Sequence, residues 1–301
     1  MRAPEGTIAD RLAGAPISWG VCEVPGWGVM LPADRVLEEM AALGLRASEL
    51  GALGYLGDDP AAIAALLERH GLGAVGGFVP LVIHERAERA ALRNDAERAA
   101  SLLAGSGGTY FVTAAVLDQD WSAPGELSAE EWEAAAEGLE IVEEVCARHG
   151  LTQVLHPHVG TIVERASHFE EVLSRSSVAW CLDTGHLAIG GADPIAFAEA
   201  HADRVGLVHV KDVALEHAEA VRSHKTSLLD ATKAGMFRSL GQGDVDVAGV
   251  VRVLEQRGYQ GRYVLEQDTP IDPAEGEYVD PKADVKVSVD YLLAASAGSS
   301  R

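Results

Sequence analysis

Four short apolar runs in this chain each end on a group of histidines and acids, and that recurrence constrains the fold more than any other feature. Val154-Leu155 leads into His156-Pro157-His158, and Ala179-Trp180-Cys181-Leu182 leads into Asp183-Thr184-Gly185-His186. Val205-Gly206-Leu207-Val208 leads into His209-Val210-Lys211-Asp212, and Arg262-Tyr263-Val264-Leu265 into Glu266-Gln267-Asp268. Short apolar runs bounded by turn residues read as buried strands. Strands that end on one side of a parallel barrel bring their last residues to a common mouth, where such folds carry their chemistry. Imidazoles and carboxylates converging there suit a divalent ion that accepts both nitrogen and oxygen.

The rest of the chain alternates in the same way. Pro16 to Gly20 reads as a first strand, and Val36, Leu37, Met40 and Leu43 carry the helical spacing of a helix from Ala33 to Leu43. Arg46 to Leu50 is a second strand ending beside Glu49, and Asp59-Pro60 opens a helix running through Arg69. Ala74 to Leu81 is a third strand, followed by a helix through Leu103; Tyr110 to Val116 is a fourth. Ser128 with Glu131 forms a capping box for the longest helix, which ends near Gly150. Strands five, six and seven fall at Gln153–His156, Val178–Leu182 and Val205–Val210, and Asp193-Pro194 opens the helix between the last two. Thr161 with Glu164 reads as another capping box, so Glu164 is taken as structural.

The rhythm breaks from Val213 to Val245, a long insertion of the kind that serves as a lid or binding loop. A helix at Val247–Gln256, a strand at Arg262–Glu266 and a closing helix at Lys282–Ala295 complete the chain. Eight strands alternating with helices are the pattern of a (β/α)8 barrel. Nothing in the composition divides residues 1–301, which are expected to form a single barrel domain with its insertion at about 213–246.

Apolar residues make up 48% of the 301, enough for a substantial core. With 46 acidic against 24 basic residues, the net charge of -22 argues against a nucleic-acid backbone as partner. Cys22, Cys146 and Cys181 are too few and too scattered for a disulfide framework, and Cys181 reads as a small hydrophobe in a buried strand. No leader pattern and no apolar run of about 18 residues is present, so a cytoplasmic protein off the membrane is expected.

Each cluster has an ordinary alternative. His156 and His158, two apart around a proline, lie at a strand end as ligands or as plain loop residues. Asp183 follows a buried run and needs a partner, though capping the next helix is a second role open to it. His209 is a ligand or a satisfied core histidine. Glu266 after Tyr-Val-Leu makes a cation its natural partner. Lys211-Asp212 is a catalytic pair or a local ion pair; Trp19 and Phe78 are pocket walls or core.

The motif order resembles the xylose-isomerase-like barrels, and within them the inosose (2-keto-myo-inositol) dehydratases. The resembling residues are Ala15-Pro16-Ile17-Ser18-Trp19, Ser48-Glu49-Leu50-Gly51, Leu155 through Thr161, Leu182 through His186, His209 through Asp212, and Glu266-Gln267-Asp268. The resemblance implies metal ligation by His156, Asp183, His209 and Glu266. It surrounds them with His158, His186, Lys211 and Asp212, and implies Mn²⁺ or Co²⁺ as the ion, with Mg²⁺ and Zn²⁺ as further candidates. Isomerases and epimerases of this superfamily usually carry a glutamate where His156 stands. The chain departs from the dehydratase pattern at Gly20-Val21-Cys22-Glu23, Leu53-Gly54-Tyr55 and Thr113-Ala114-Ala115, positions expected to line the substrate pocket.

The expected reaction is enolisation of an α-hydroxy ketone of a keto-sugar or keto-inositol, followed by loss of water. Glu266 is the expected base, with His186 or Lys211 assisting departure of the hydroxide and Glu49 as a pocket acid. Trp19, Phe78, His158 and Asp212 complete the expected substrate pocket. The alternatives are a sugar isomerase or epimerase of the same fold, a C-glycoside-cleaving lyase subunit, a non-catalytic sugar-binding protein and, least compatible with the charge, an apurinic endonuclease. The partner expected is a small carbohydrate or cyclitol, with self-association into a homo-oligomer left open.

Overall fold

The computed structural model describes residues 7–272, 274 and 280–298, so both ends of the expected 1–301 barrel lie outside the described residues. Barrel strands lie at Leu12–Gly14, Ala47–Ser48, Gly73–Ala74, Gly76–Leu81, Tyr110–Ala115, Thr152–Leu155, Ala179–Asp183, Val205–Val210 and Tyr263–Leu265. All their pairings are parallel, and the first strand pairs with both the second and the last. Gly73–Ala74 pairs with the second strand while Gly76–Leu81 pairs with the fourth, so one strand interrupted at Val75 closes the barrel. Counting that pair as one leaves the eight strands of a (β/α)8 barrel among the described residues.

Side chains that alternate along each strand separate into two populations. Ala13, Ala47, Val75, Val112, Val154, Cys181, Leu207 and Val264 meet inside the barrel. Leu155, Trp180, Leu182, Val208, Tyr263 and Leu265 face outward and pack beneath the helices. His156, Asp183, His209, Glu266 and Glu49 each lie two residues beyond a member of the inner set. Strand periodicity therefore aims all five at the same axis.

One irregularity makes this work for the sixth and seventh strands. Trp180 pairs with Val205 but Cys181 with Leu207, so Gly206 is an extra residue, and Asp183 comes opposite His209. Without it Asp183 would lie beside Val208, whose side chain faces the helices. Only glycine suits the bulge, because a Cβ on Gly206 would lie 2.7 Å from Val154 Cγ1.

Three local expectations are corrected. Pro16–Trp19 is a 3-10 helix, and the first strand is Leu12–Gly14. The chain reverses after it through Gly20, at φ 80°. Thr161 and Glu164 form no capping box: the helix there is Ala166–Arg175, with Arg165 at its N-cap. Glu164 instead accepts from the Gly160 N–H at 2.9 Å, which keeps it structural. A short helix not anticipated from sequence, Thr184–Ile189, begins directly after the sixth strand. The insertion folds into the helices Ala218–Arg222 and Leu228–Lys233 and a two-stranded ribbon, Asp212–Val213 with Phe237–Arg238. Among the described residues, no helix is long and apolar enough to cross a membrane.

Candidate metal centre

His156, Asp183, His209 and Glu266 meet at the C-terminal mouth, and one potential ligand atom from each lies within 4.8 Å of all the others. His156 Nε2 is 3.2 Å from Asp183 Oδ2, and His209 Nδ1 is 3.8 Å from the same oxygen and 3.0 Å from Glu266 Oε2. The first three residues are at most 1% exposed. Asp183 is placed for both tasks that its position suggests. Its Oδ1 accepts from the His186 N–H at 2.7 Å, capping the short helix, while Oδ2 faces the cluster.

The donor set fits a divalent cation. His209 Nδ1 and Glu266 Oε2 are enclosed polar atoms 3.0 Å apart, with Asp183 Oδ2 near the first, an arrangement that a bound ion would complete. Two imidazoles with two carboxylates suit Mn²⁺, Co²⁺ or Zn²⁺ better than Mg²⁺, which prefers oxygen and water. Glu49 Oε1 lies 2.9 Å from His209 Nε2 on the side away from Glu266. That is the carboxylate–histidine arrangement that orients metal-binding imidazoles.

Lys211 stands over the cluster, with Nζ 2.9 Å from Glu266 Oε2, 3.0 Å from Asp268 Oδ1 and 3.6 Å from Asp183 Oδ2. Thr184 clamps its backbone: the hydroxyl donates to the Lys211 carbonyl at 2.6 Å and accepts from its N–H at 2.8 Å. Gly185 allows this approach, since a Cβ there would lie 2.9 Å from Lys211 Cβ. Phe237, from the insertion, places its ring 5.3 Å from the ammonium.

Burial and charge pull the titrating groups apart. Burial would raise Asp183 and Glu266, but Lys211 and the neighbouring histidines outweigh it, so both carboxyls stay below their ordinary range. Burial would lower Lys211, yet Asp268, Glu266 and Asp183 hold it well above the usual value. Burial would likewise lower His209, but Cys181, Glu266 and Glu49 prevail and raise it well above. His156 and His186 are lowered, chiefly by burial, and His158 is pushed down to about 3 by burial and by His156 and Lys211. The centre thus combines ionised carboxylates and an ammonium with three histidines shifted down, His156, His158 and His186, and one shifted up, His209.

The wider pocket is only partly as expected. Phe78 lies beside the cluster, its ring 5.7 Å from His156 and 5.5 Å from His158. The rings of His158 and His186 lie tilted at 38° with centroids 4.1 Å apart. Trp19 does not join them: it is fully buried in the outer core, and its indole N–H donates to Glu39 at 2.7 Å. Asp212 is also diverted, because its carboxylate accepts from the backbone N–H groups of Gly241, Gly243 and Val245 and so folds the insertion. Arg222 from the insertion donates to the Ile189 carbonyl at 3.1 Å.

Two neighbours of the site were given no role from the sequence. Trp121 sits in a loop turned by Asp118 and stacks on Phe78 at 6.1 Å. Asp268 reaches Lys211 because it lies two residues beyond Glu266 along the same inward direction, a periodicity that could have identified it. A cavity of about 570 Å³ opens at the opposite end of the barrel, against Tyr110, Val205 and Tyr259. It contains none of the clustered groups, and convergent polar residues rather than volume locate the chemistry.

Comparison with known proteins bears on the family and the fold. Residues 37–294 match the family model described as xylose isomerase-like TIM barrel. An inosose dehydratase from Geobacillus kaustophilus (strain HTA426) is 30% identical over 294 residues, covering 94% of this chain and 93% of that protein. The rhizopine catabolism protein MocC of Rhizobium meliloti is 32% identical over 307 residues, covering 97% and 90%. Among solved structures, an L-ribulose 3-epimerase superposes with a TM-score of 0.70 at 18% identity over 96% of this chain and 95% of its own. The IOLI protein, solved with a bound zinc atom, gives 0.71 at 14% over 96% and 98%. The structural matches, at such identities, speak for the fold alone.

Proposed function

Because this chain belongs to the xylose isomerase-like TIM barrel family, we propose that it is a divalent-metal-dependent lyase that dehydrates a keto-sugar or keto-inositol. His156, Asp183, His209 and Glu266 would hold the ion, Mn²⁺ or Co²⁺ by preference and Mg²⁺ or Zn²⁺ as alternatives. When bound, the ion supplies Lewis acidity that polarises a substrate carbonyl and makes the neighbouring C–H acidic.

The residues supply the rest. Glu266 is the base: its carboxylate faces the other three candidate ligands, and its charge environment keeps it ionised. Lys211 holds a positive charge 2.9 Å from that oxygen, where it favours negative charge building up on the substrate. Its pKa is too high for it to surrender a proton readily, so it assists departure of a hydroxide as a hydrogen-bond donor, beside His186 Nε2 at 3.4 Å. Phe78 and His158 form the wall against which a ring-shaped substrate packs.

The observation that carries elimination over epimerisation is the pairing of one basic carboxylate, Glu266, with a neutral imidazole, His156, in one centre. Inversion at carbon needs a second group that can donate a proton from the opposite face, and a ligated imidazole serves poorly there. The similarity to an inosose dehydratase over most of both chains supports the same choice. The test is incubation of the metal-loaded protein with keto-inositols and 3-keto-sugars, following ultraviolet absorbance and product mass. Loss of water with a new absorbing product is expected; inversion of a sugar centre without an unsaturated or dicarbonyl product would overturn the proposal.

A further inference from the structure

We propose that Cys181 is an inner sulfur ligand through which the same centre holds thiophilic divalent ions in a second, deeper register. This rests on the metal-centre reading above and assigns a role to a side chain that reading leaves idle. Cys181 precedes Asp183 by two residues and points to the same axis, so it lies one layer lower, roughly 6.6 Å along the strand. Its sulfur forms a group with one ring nitrogen each of His156 and His209, all within 4.8 Å of one another. Cys181 is fully buried and both histidines are 1% exposed. His156 Nδ1 is enclosed without a hydrogen-bond partner, while His209 Nδ1 faces Glu266 Oε2 at 3.0 Å. The neighbours of Cys181 in its layer, including Val112, Val154, Leu207 and Val264, offer no polar atom that would satisfy His156 Nδ1.

Two registers follow from donor chemistry. A hard ion such as Mn²⁺ takes the two histidines with Asp183 and Glu266. A softer ion, Zn²⁺ or Cd²⁺, takes the same histidines with Cys181, the S–H bond giving way to a sulfur–metal bond as its proton leaves to solvent. No oxidation is involved. Since the histidines are shared, the two registers exclude each other, and the deeper one draws the ion away from Glu266.

X-ray absorption at the zinc edge of wild-type protein loaded with one equivalent of Zn²⁺ tests this. One sulfur scatterer at about 2.3 Å with nitrogen or oxygen neighbours at about 2.0–2.1 Å is expected. Cys181→Ser is expected to remove the sulfur signal and weaken Zn²⁺ far more than Mn²⁺, while Cys22→Ser leaves the signal in place. Zinc bound with histidine scattering but no sulfur overturns the inference and leaves the four-ligand centre standing. Absence of histidine scattering sinks both. Sulfur that persists in Cys181→Ser comes from another cysteine and also overturns it. Should Cys181→Ser fail to fold, the wild-type spectrum decides alone.

Discussion

His209 presents Nε2 to Glu49 Oε1 at 2.9 Å and thereby turns Nδ1 toward Glu266 and Asp183. The contact spans the barrel from its second strand to its seventh and fixes which ring nitrogen would face an ion. Glu49→Gln is therefore expected to weaken metal binding by about 10- to 100-fold, with most activity returning at saturating metal. A metal titration followed by assay checks this; unchanged affinity would assign Glu49 to the substrate instead.

Glu266→Gln removes the proposed base while keeping an oxygen for the ion. Turnover at saturating metal is expected to fall by about 10²- to 10⁴-fold, with a smaller change in KM. Steady-state kinetics on the variant reports both, and a loss confined to KM would place the base elsewhere.

Metal uptake should release protons. Raised well above its ordinary pKa, His209 is protonated at neutral pH before an ion binds, and ligation through Nδ1 requires that proton to leave. Affinity should therefore rise with pH below the His209 pKa, by about tenfold per unit for one proton. His156, lowered by burial, is already neutral and adds no dependence near pH 7. In the metal-free protein the sign is opposite: the raised His209 pKa stabilises the fold at acid pH, and that contribution fades as pH rises through the folded value. Calorimetry in buffers of different ionisation enthalpy should find about one proton released per ion; finding none would contradict the charge state assigned to His209.

Gly206→Val tests the bulge. The added Cβ would lie 2.7 Å from Val154 Cγ1, in the layer directly below His156. A stability loss of about 1–3 kcal/mol is expected from overpacking, together with weaker metal binding as Asp183 and His209 lose alignment. Chemical denaturation and metal titration on one sample separate the two effects. Lower stability with unaltered affinity would show that the register tolerates the change.

The candidate ligands were legible in the sequence because each ends a strand, and strand alternation sends such residues to one axis whatever the details of packing. The first strand was not. Leu12-Ala13-Gly14 has little β-branched character, while Pro16-Ile17-Ser18-Trp19 looks more strand-like yet turns away as a 3-10 helix through Gly20. That displacement carried Trp19 from the expected pocket into the outer core, where Glu39 satisfies its indole. Asp212 shared the composition of a site residue, but backbone donors 29 to 33 residues later claimed its carboxylate, a pairing local patterns do not reveal. Trp121 was hidden for a related reason: its loop has no periodicity, and its stacking on Phe78 depends on a turn set by Asp118.

In the proposed centre a single cation is held jointly by His156, Asp183, His209 and Glu266. Its most direct test is equilibrium binding of Mn²⁺, followed by electron paramagnetic resonance, to protein first stripped with a chelator. Asp183→Asn serves as the comparison because it retains an oxygen to accept the His186 N–H. About one tightly bound ion per wild-type chain is expected, with a loss of affinity in Asp183→Asn of at least about tenfold. Wild-type protein that takes up no ion, or an Asp183→Asn variant that holds Mn²⁺ as tightly as the wild type, would contradict it.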